Sequence, residues 1–272
     1  MSRPTAEIGV FGGSGFYAFL DDVRLVPVHT PYGAPSAPLA VGDVGGRPVA
    51  FLPRHGVHHE LPPHKVNYRA NLWAMRELGV RRIVGPCAAG SLQPGIKPGD
   101  FVVCDQLVDR TSGRSDTFFD GGVVGHVSFA DPYCPDLGAA LVDAARRLDI
   151  TVHPRGTVVV VQGPRFSTRA ESAWYRAAGW EVVNMTQYPE AYLARELGIC
   201  YAAVALVTDY DTGVEGVDGA DGAEPVTMDE VFRVLADNVE RTRSLLFAAI
   251  PALAASPPCR CAEALSSGPL GA

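Results

Sequence analysis

Between residue 7 and about residue 250, short apolar runs of strand character alternate with stretches of helical periodicity. A chain so patterned buries helices against a sheet, which points to an α/β domain. Glu7-Ile8-Gly9-Val10-Phe11 reads as a first buried strand that runs straight into glycines. Residues 38–41 and 48–52 form a hairpin-like pair around the turn formers Gly42, Asp43, Gly45 and Gly46. Residues 67–78 carry Ala70, Leu72, Trp73, Met75 and Leu78 at helical spacing, closed by Gly79. The same reading predicts helices over 137–148, 168–178 and 190–197, and strands over 101–104, 158–161, 181–183 and 201–207. A short strand over 82–84 is predicted to end in the small-residue turn Pro86-Cys87-Ala88-Ala89-Gly90-Ser91. The last helix starts at the capping box Thr227-Met228-Asp229-Glu230 and stops at Pro251. Before it, residues 212–225 form a loop rich in Gly, Asp and Val, of a length that in compact domains is functional or disordered.

No internal repeat or linker divides the chain, so one domain is expected over 1–250, followed by a disordered tail over 251–272. The 47% hydrophobic content suffices for one sizeable core. A formal net charge of −7 argues against non-specific nucleic-acid binding, which positive charge carries. No run approaches the roughly 20 apolar residues of a membrane span, and the N-terminus lacks the apolar stretch of a signal peptide. A cytoplasmic protein without nucleic-acid or membrane partners is the expectation. Of the six cysteines, Cys87, Cys104, Cys134 and Cys200 sit singly and read as small hydrophobes. Cys259-Arg260-Cys261 lies in the tail and reads as free thiols on an unstructured end, a metal or redox role being the alternative. No metal is expected.

Chemistry is suggested first by Gly12-Gly13-Ser14-Gly15, where the backbone can approach an anion closely and Ser14 adds a hydroxyl. The overlap with a dinucleotide fingerprint (Gly13-x-Gly15-x-x-Ala18) is set aside, because 16–20 is too short for the required helix and no ribose-binding acid follows. Arg54-His55-Gly56-Val57-His58-His59 reads as an anion clamp, since a guanidinium meets phosphate with paired donors. A zinc site and a solvated basic turn are its competing readings. Asp209 and Asp211, two residues apart in an extended segment, point to one side. They suit acid/base work, metal ligation, or acceptance from the N–H edge of a base, and singly each is no more than a cap or loop acid. Met228, Val231 and Phe232 share a helix face that is either core or the wall of an apolar pocket.

Taken in order, Gly-Gly-Ser-Gly, Arg-His-Gly, Lys65-Val66-Asn67-Tyr68-Arg69-Ala70-Asn71, Gly163-Pro164-Arg165-Phe166-Ser167-Thr168-Arg169-Ala170-Glu171, Asn184-Met185-Thr186 and Thr208-Asp209-Tyr210-Asp211 closely resemble the trimeric purine nucleoside phosphorylases, and within them the 5′-methylthioadenosine phosphorylases. The resemblance spans roughly residues 6–250. It implies a single α/β domain whose central mixed sheet, distorted toward a barrel, is flanked by helices. It implies a pentosyltransferase that cleaves S-methyl-5′-thioadenosine, or a related 5′-modified 5′-deoxyadenosine, with inorganic phosphate as co-substrate and no cofactor. The products are adenine and 5-methylthioribose 1-phosphate, and the assembly is a homotrimer with active sites at subunit interfaces.

Carried over residue by residue, the resemblance places phosphate contacts at Ser14, Arg54, His55 and Thr208, with Cys87 and Ala88 in the small-residue turn and Thr186 on the phosphate–ribose side. Met185 lies against the ribose, Phe166 stacks on the purine, and Ser167 sits at its edge. Asp209 faces N7 and Asp211 the 6-amino group, and with His55 they form the implied catalytic set. His126 comes from a neighbouring subunit, while Met228, Val231 and Phe232 line the 5′ end. Three departures stand out. Cys87 replaces a common Thr, so a hydroxyl contact is lost or passes to backbone N–H. Met228 and Phe232 are bulkier than the usual aliphatics, and the 212–225 loop is longer and richer in glycine. Residues 30–36 and 61–64 are similar to bacterial methylthioinosine phosphorylases, which makes a 6-oxopurine phosphorylase, acting on methylthioinosine, inosine or guanosine, the alternative. Those relatives lack the Thr-Asp-Tyr-Asp segment.

Overall fold

The computed structural model describes residues 5–212 and 228–267. Its organising strand is β11 (Cys200–Tyr210), whose residues 200–208 are all buried, as a strand covered on both faces must be. Strand alternation sends Tyr201, Ala203, Ala205 and Val207 into one apolar cluster and Cys200, Ala202, Val204 and Leu206 into another. Helices α1 (Tyr68–Glu77) and α4 (Gln187–Glu196) cover the first side through Leu72, Met75, Leu193 and Ala194. Helices α2 (Pro135–Arg147) and α5 (Met228–Ala252) cover the second through Leu137, Leu141, Leu245 and Leu246. The result is a three-layer α/β/α arrangement.

The sheet is mixed and branched. Its main path runs β2 (Arg24–Val26), β3 (Leu39–Val44), β4 (Arg47–Pro53), β1 (Ile8–Gly12), β5 (Arg82–Ser91), β10 (Val182–Asn184), β9 (Thr157–Val161), β7 (Gln106–Arg110). Off this path, β11 pairs with β5 and with β6 (Phe101–Val103), which also carries β8 (Val152–His153). Strand β5 is the branch point. One edge pairs with β11 in parallel along its whole length. The other edge pairs with β1 over Arg82–Val84 and with β10 over Gly90–Ser91, leaving residues 85–89 without a strand on that side.

Here the structure differs from the sequence reading, which ended this strand at Val84. Pro86 does not break it. Its carbonyl points out of the open edge to Arg54, so the N–H that proline lacks faces the same strandless side. The strands missed altogether, β2, β7 and β8, are short or exposed edge pieces whose polar residues mask the alternation. The 190–197 helix begins three residues early, but Tyr188 is non-helical (φ −109°, ψ 131°) and Pro189 follows, which is why the periodicity starts at 190. No helix follows the glycines after β1. The Phe16 N–H instead closes a turn onto the Gly13 carbonyl at 3.0 Å.

Residues 251–267, read from composition as part of a disordered tail, are placed against the body. Helix α5 continues through Pro251 to Ala252. Arg47 and Arg82 then donate to the carbonyls of Leu253 and Ala254, each at 2.7 Å. A short 3₁₀ turn, Cys261–Ser267, buries Cys261. Residues 268–272 and most of the 212–225 loop lie outside the described residues. Among the described residues, no helix is long and apolar enough to cross a membrane.

Candidate functional site

Parallel strands end their hydrogen-bond ladders with free backbone groups, and ligands of α/β proteins gather there. In this fold β1, β4, β10 and β11 end around a cavity of about 330 Å³, floored by the open edge of β5. The cavity collects Gly13 and Ser14 from the turn after β1, Arg54 and His55 after β4, and Cys87–Gly90 from β5. Phe166, Ser167, Asn184, Met185, Thr186, Thr208, Asp209 and Asp211 complete most of the wall. Glycine lets the backbone at 13 come close, because a Cβ there would stand 3.0 Å from the Pro86 carbonyl and 3.3 Å from Arg54 Nη1, a tight fit. Strand alternation puts the Ala88 N–H on the same open side as the Pro86 carbonyl, while Cys87 turns its N–H toward β11. The Cys87 thiol is engaged as well: it accepts from Asn184 Nδ2 (3.2 Å) and Gln187 Nε2 (3.3 Å), and burial raises its pKa. Of these two residues, Ala88 is the one that offers the cavity a donor.

Arg54 is held differently from the expected paired-donor clamp. Its Nε and Nη2 both donate to the Glu190 carboxylate, the second at 3.0 Å, and Nη1 donates to the Pro86 carbonyl at 3.2 Å. Tyr201 Oη also donates to Glu190, at 2.7 Å. Both partners of the ion pair are 1% exposed. Burial would lower the guanidinium pKa, but the carboxylate more than offsets this and the net shift is upward. Arg54 therefore presents a fixed positive charge and its remaining N–H bonds to the cavity, while its forked face is spent on Glu190.

His55 is the second departure. Its Nδ1 lies 2.8 Å from the Leu61 carbonyl, which can only accept, so Nδ1 carries the proton and Nε2 keeps its lone pair. Burial first, then the Arg54 charge, depress its pKa to about 4. The ring stacks on His59 at 4.7 Å, so these histidines lie face to face rather than converging on one point. A neutral imidazole is a hydrogen-bond acceptor and not part of a cationic clamp. The sign of the linked stability effect follows. Because the folded pKa is below the ordinary value of 6.5, the unfolded chain takes up this proton first, and stability falls as the pH drops from about 6.5 to about 4. A shift of that size amounts to about 3 kcal/mol. Denaturant unfolding of the protein and of His55→Gln across this range is expected to give a steeper loss for the native chain. Parallel curves would show that His55 does not titrate this way.

At the base end, the Thr208 hydroxyl donates to Asp209 Oδ1 at 2.6 Å and lies 3.3 Å from the Ala89 carbonyl. Asp211 is buried, which raises its pKa against the pull of the Ser172 hydroxyl and the Thr212 N–H. Its Oδ2 and Asn184 Oδ1 are buried outside hydrogen-bonding geometry with any protein group, and so is Ser167 Oγ, although that hydroxyl is near enough to Asp211 to hold its pKa down. All three residues face the cavity. Two buried acceptors and a hydroxyl without well-formed bonds in one pocket are what a ligand with matching donors would satisfy. Phe166, 37% exposed, stands as a ring at the mouth.

Not every expected residue meets here. His126 is exposed in the connection between β7 and α2 and does not line the cavity. Met228, Val231 and Phe232 fall on the first turns of α5, and their side chains lie outside the described residues. Sequence reasoning gave no role to Asn184 or Glu190 and passed over Arg114. Arg114 braces the far wall by donating to the carbonyls of Gln162 (2.9 Å), Met185 (3.0 Å) and Tyr188. Glu190 carries only the signal of an acid in a helix's first turn, which reads as dipole compensation. No local pattern announces a partner 136 residues away.

Comparison with known proteins sharpens the picture. Residues 7–251 match the family model of the Phosphorylase superfamily. A purine nucleoside phosphorylase of Streptomyces coelicolor is 56% identical over 97% of this chain and 96% of its own length. An S-methyl-5′-thioadenosine phosphorylase of Mycolicibacterium smegmatis is 57% identical over 93% of each chain. Among solved structures, the methylthioadenosine phosphorylase from Schistosoma mansoni in complex with adenine superposes with a TM-score of 0.90, at 37% identity over 97% of this chain and 99% of that one. With sequence and fold both matched over nearly their full length, this chain belongs to the Phosphorylase superfamily and, within it, to the purine nucleoside phosphorylases of the S-methyl-5′-thioadenosine type.

Proposed function

We propose that the protein cleaves S-methyl-5′-thioadenosine with inorganic phosphate, giving adenine and 5-methylthioribose 1-phosphate. The observation that carries this reading is the orphaned acceptor Asp211 Oδ2 beside Ser167 Oγ in the cavity. A 6-amino group brings N–H donors to that point, whereas a 6-oxopurine brings a second acceptor against a buried carboxylate, which is costly. The chemistry then divides between two ends. Phosphate is a weak nucleophile, so the C1′–N9 bond is largely broken before a phosphate oxygen bonds to C1′. The developing cationic ribose is stabilised by the anion, held by the Arg54 charge, the Ser14 turn, the Ala88 N–H and the Thr186 hydroxyl, while the one proton of the Thr208 hydroxyl goes to Asp209. The neutral His55 Nε2 accepts from the phosphate O–H. The bonding pair of C1′–N9 passes into the purine, and a protonated Asp209 donates to N7 as the base leaves. Over the full cycle the proton of hydrogen phosphate ends on adenine. Met185 packs against the ribose and Phe166 covers the purine.

Around this core, His126 reaches the site of a neighbouring subunit of a homotrimer, and Met228, Val231 and Phe232 surround the methylthio group. No cofactor takes part, and the compartment is the cytoplasm, consistent with six cysteines that are all unbridged. The test is a nucleoside panel with and without phosphate. Adenine release from 5′-methylthioadenosine only when phosphate is present is expected, with inosine and methylthioinosine turned over slowly. Phosphate-independent release, or faster cleavage of methylthioinosine, would overturn the reading. Asp211→Asn turns an acceptor into a donor and is expected to shift the ratio of kcat/KM for 6-amino over 6-oxo nucleosides by about tenfold toward the oxo substrates.

A further inference from the structure

At the other end of β11, about 30 Å from Asp209 by strand rise, four cysteines from three regions of the chain meet. Cys134 is the N-cap of α2, Cys200 is the first residue of β11, and Cys259 and Cys261 lie beyond α5. All four sulfur atoms lie within 4.8 Å of one another, with Cys200 and Cys259 at 3.2 Å. Cys134, Cys200 and Cys261 are buried and Cys259 is half-buried. Among the described residues this is the one such convergence of cysteine, histidine or acidic side chains.

The geometry favours one shared centre over two separate bonds. Two disulfides need short distances only within each pair. A tetrahedral metal with bonds of about 2.3 Å needs all six sulfur–sulfur distances near about 3.8 Å, and here all six are short. The surroundings suit a negatively charged centre. Cys134 sits at the N-terminus of α2, the positive end of the helix, and Arg82, which also pairs with Glu7, shares a small cavity with Cys134, Asp136, Cys200 and Cys259. The segment has few other attachments among the described residues. Residues 254–258 are exposed; Arg47 and Arg82 hold the Leu253 and Ala254 carbonyls before them, and beyond them the first buried side chain is a cysteine, Cys261.

We propose that Cys134, Cys200, Cys259 and Cys261 bind one zinc ion as a closed tetrathiolate site that fastens the segment after α5 to the start of β11. Four sulfur–metal bonds form as four thiol protons pass to solvent, with no change of oxidation state. The role is structural, because four protein ligands leave no open position.

The experiment uses the full chain, produced with zinc in the medium and purified with reductant and without chelator. Elemental analysis is expected to find about one zinc per chain. Replacing it with Co²⁺ is expected to give the strong visible bands of tetrahedral thiolate coordination, with sulfur-to-cobalt charge transfer in the near ultraviolet. The double variant Cys259→Ser/Cys261→Ser is expected to lose at least nine-tenths of the metal while keeping its phosphorolytic activity. Zinc release from the native chain on titration with a mercurial thiol reagent, followed with a chromophoric chelator, gives the same readout without any variant. Zinc-free protein that takes up no Co²⁺, or mass spectrometry of alkylated native extracts showing these cysteines as two disulfides, would overturn the proposal.

Discussion

Asp209→Ala lowers kcat by about 10²–10³-fold with little change in nucleoside affinity, the loss expected when one preorganised donor to a developing charge is removed. The carboxyl is arranged for that work. Thr208 donates to Oδ1 at 2.6 Å, which fixes the group's orientation, and Oδ2 lies over Gly90, where a Cβ would come within 3.2 Å of it. The ground-state purine gains little from this acid, since N7 becomes strongly basic only as the glycosidic bond breaks. The defect therefore belongs in kcat and not in binding. Asp209→Asn offers a useful contrast, because its amide donates a hydrogen bond but delivers no proton, and it is expected to fall between alanine and the native enzyme. Single-turnover adenine release measures the step directly. A kcat for the alanine variant within threefold of native would remove Asp209 from the leaving-group role.

Glu190→Ala is the most destabilising single change expected at the site, at about 3–5 kcal/mol, because it leaves Arg54 charged, buried and without its partner. Tyr201 loses its acceptor in the same stroke. For a chain of this size the thermal midpoint is expected to fall by roughly 10 °C. Glu190→Gln keeps an acceptor and is expected to cost less. The double change Arg54→Met/Glu190→Leu, which removes both charges, is expected to recover most of the stability but not the activity. If single and double variants unfold alike, the pair is not the unit described above. Calorimetry alongside phosphorolysis assays separates the two consequences.

The contrast between Asp209 and Glu190 marks what this sequence discloses. Asp209, Asp211, Arg54 and Ser14 stand at strand ends, the last two close to glycines, and the α/β alternation alone brings such positions to one rim. The six-segment order then gave them a family. Glu190 and Arg114 act through contacts 136 and 48–74 residues away, and nothing local to either encodes the partner. The state of His55 was hidden for a similar reason: whether a histidine is a cation or an acceptor depends on burial and on the Leu61 carbonyl, neither visible in Arg-His-Gly. Strand β5 was cut short in reading because a proline beside small residues looks like a turn. Only its pairing with β11 shows that the proline faces an edge with no strand to serve. In the segment after α5 the sequence shows Cys259 and Cys261 but not the two captured carbonyls, nor that the thiols meet Cys134 and Cys200, because those partners lie far away in the chain.

The branch in β5 has a bearing on how such an enzyme can be altered. Its two clamped ends belong to parts of the chain far apart, one near the N-terminus and one near residue 182, so the stretch between them is stretched like a bridge deck between independent piers. Substitutions on the rim, at Phe166, Ser167 or Asp211, can retune which base is accepted while the span beneath stays put. Inserting even one residue into the span would instead throw the two abutments out of step, and both would fail together.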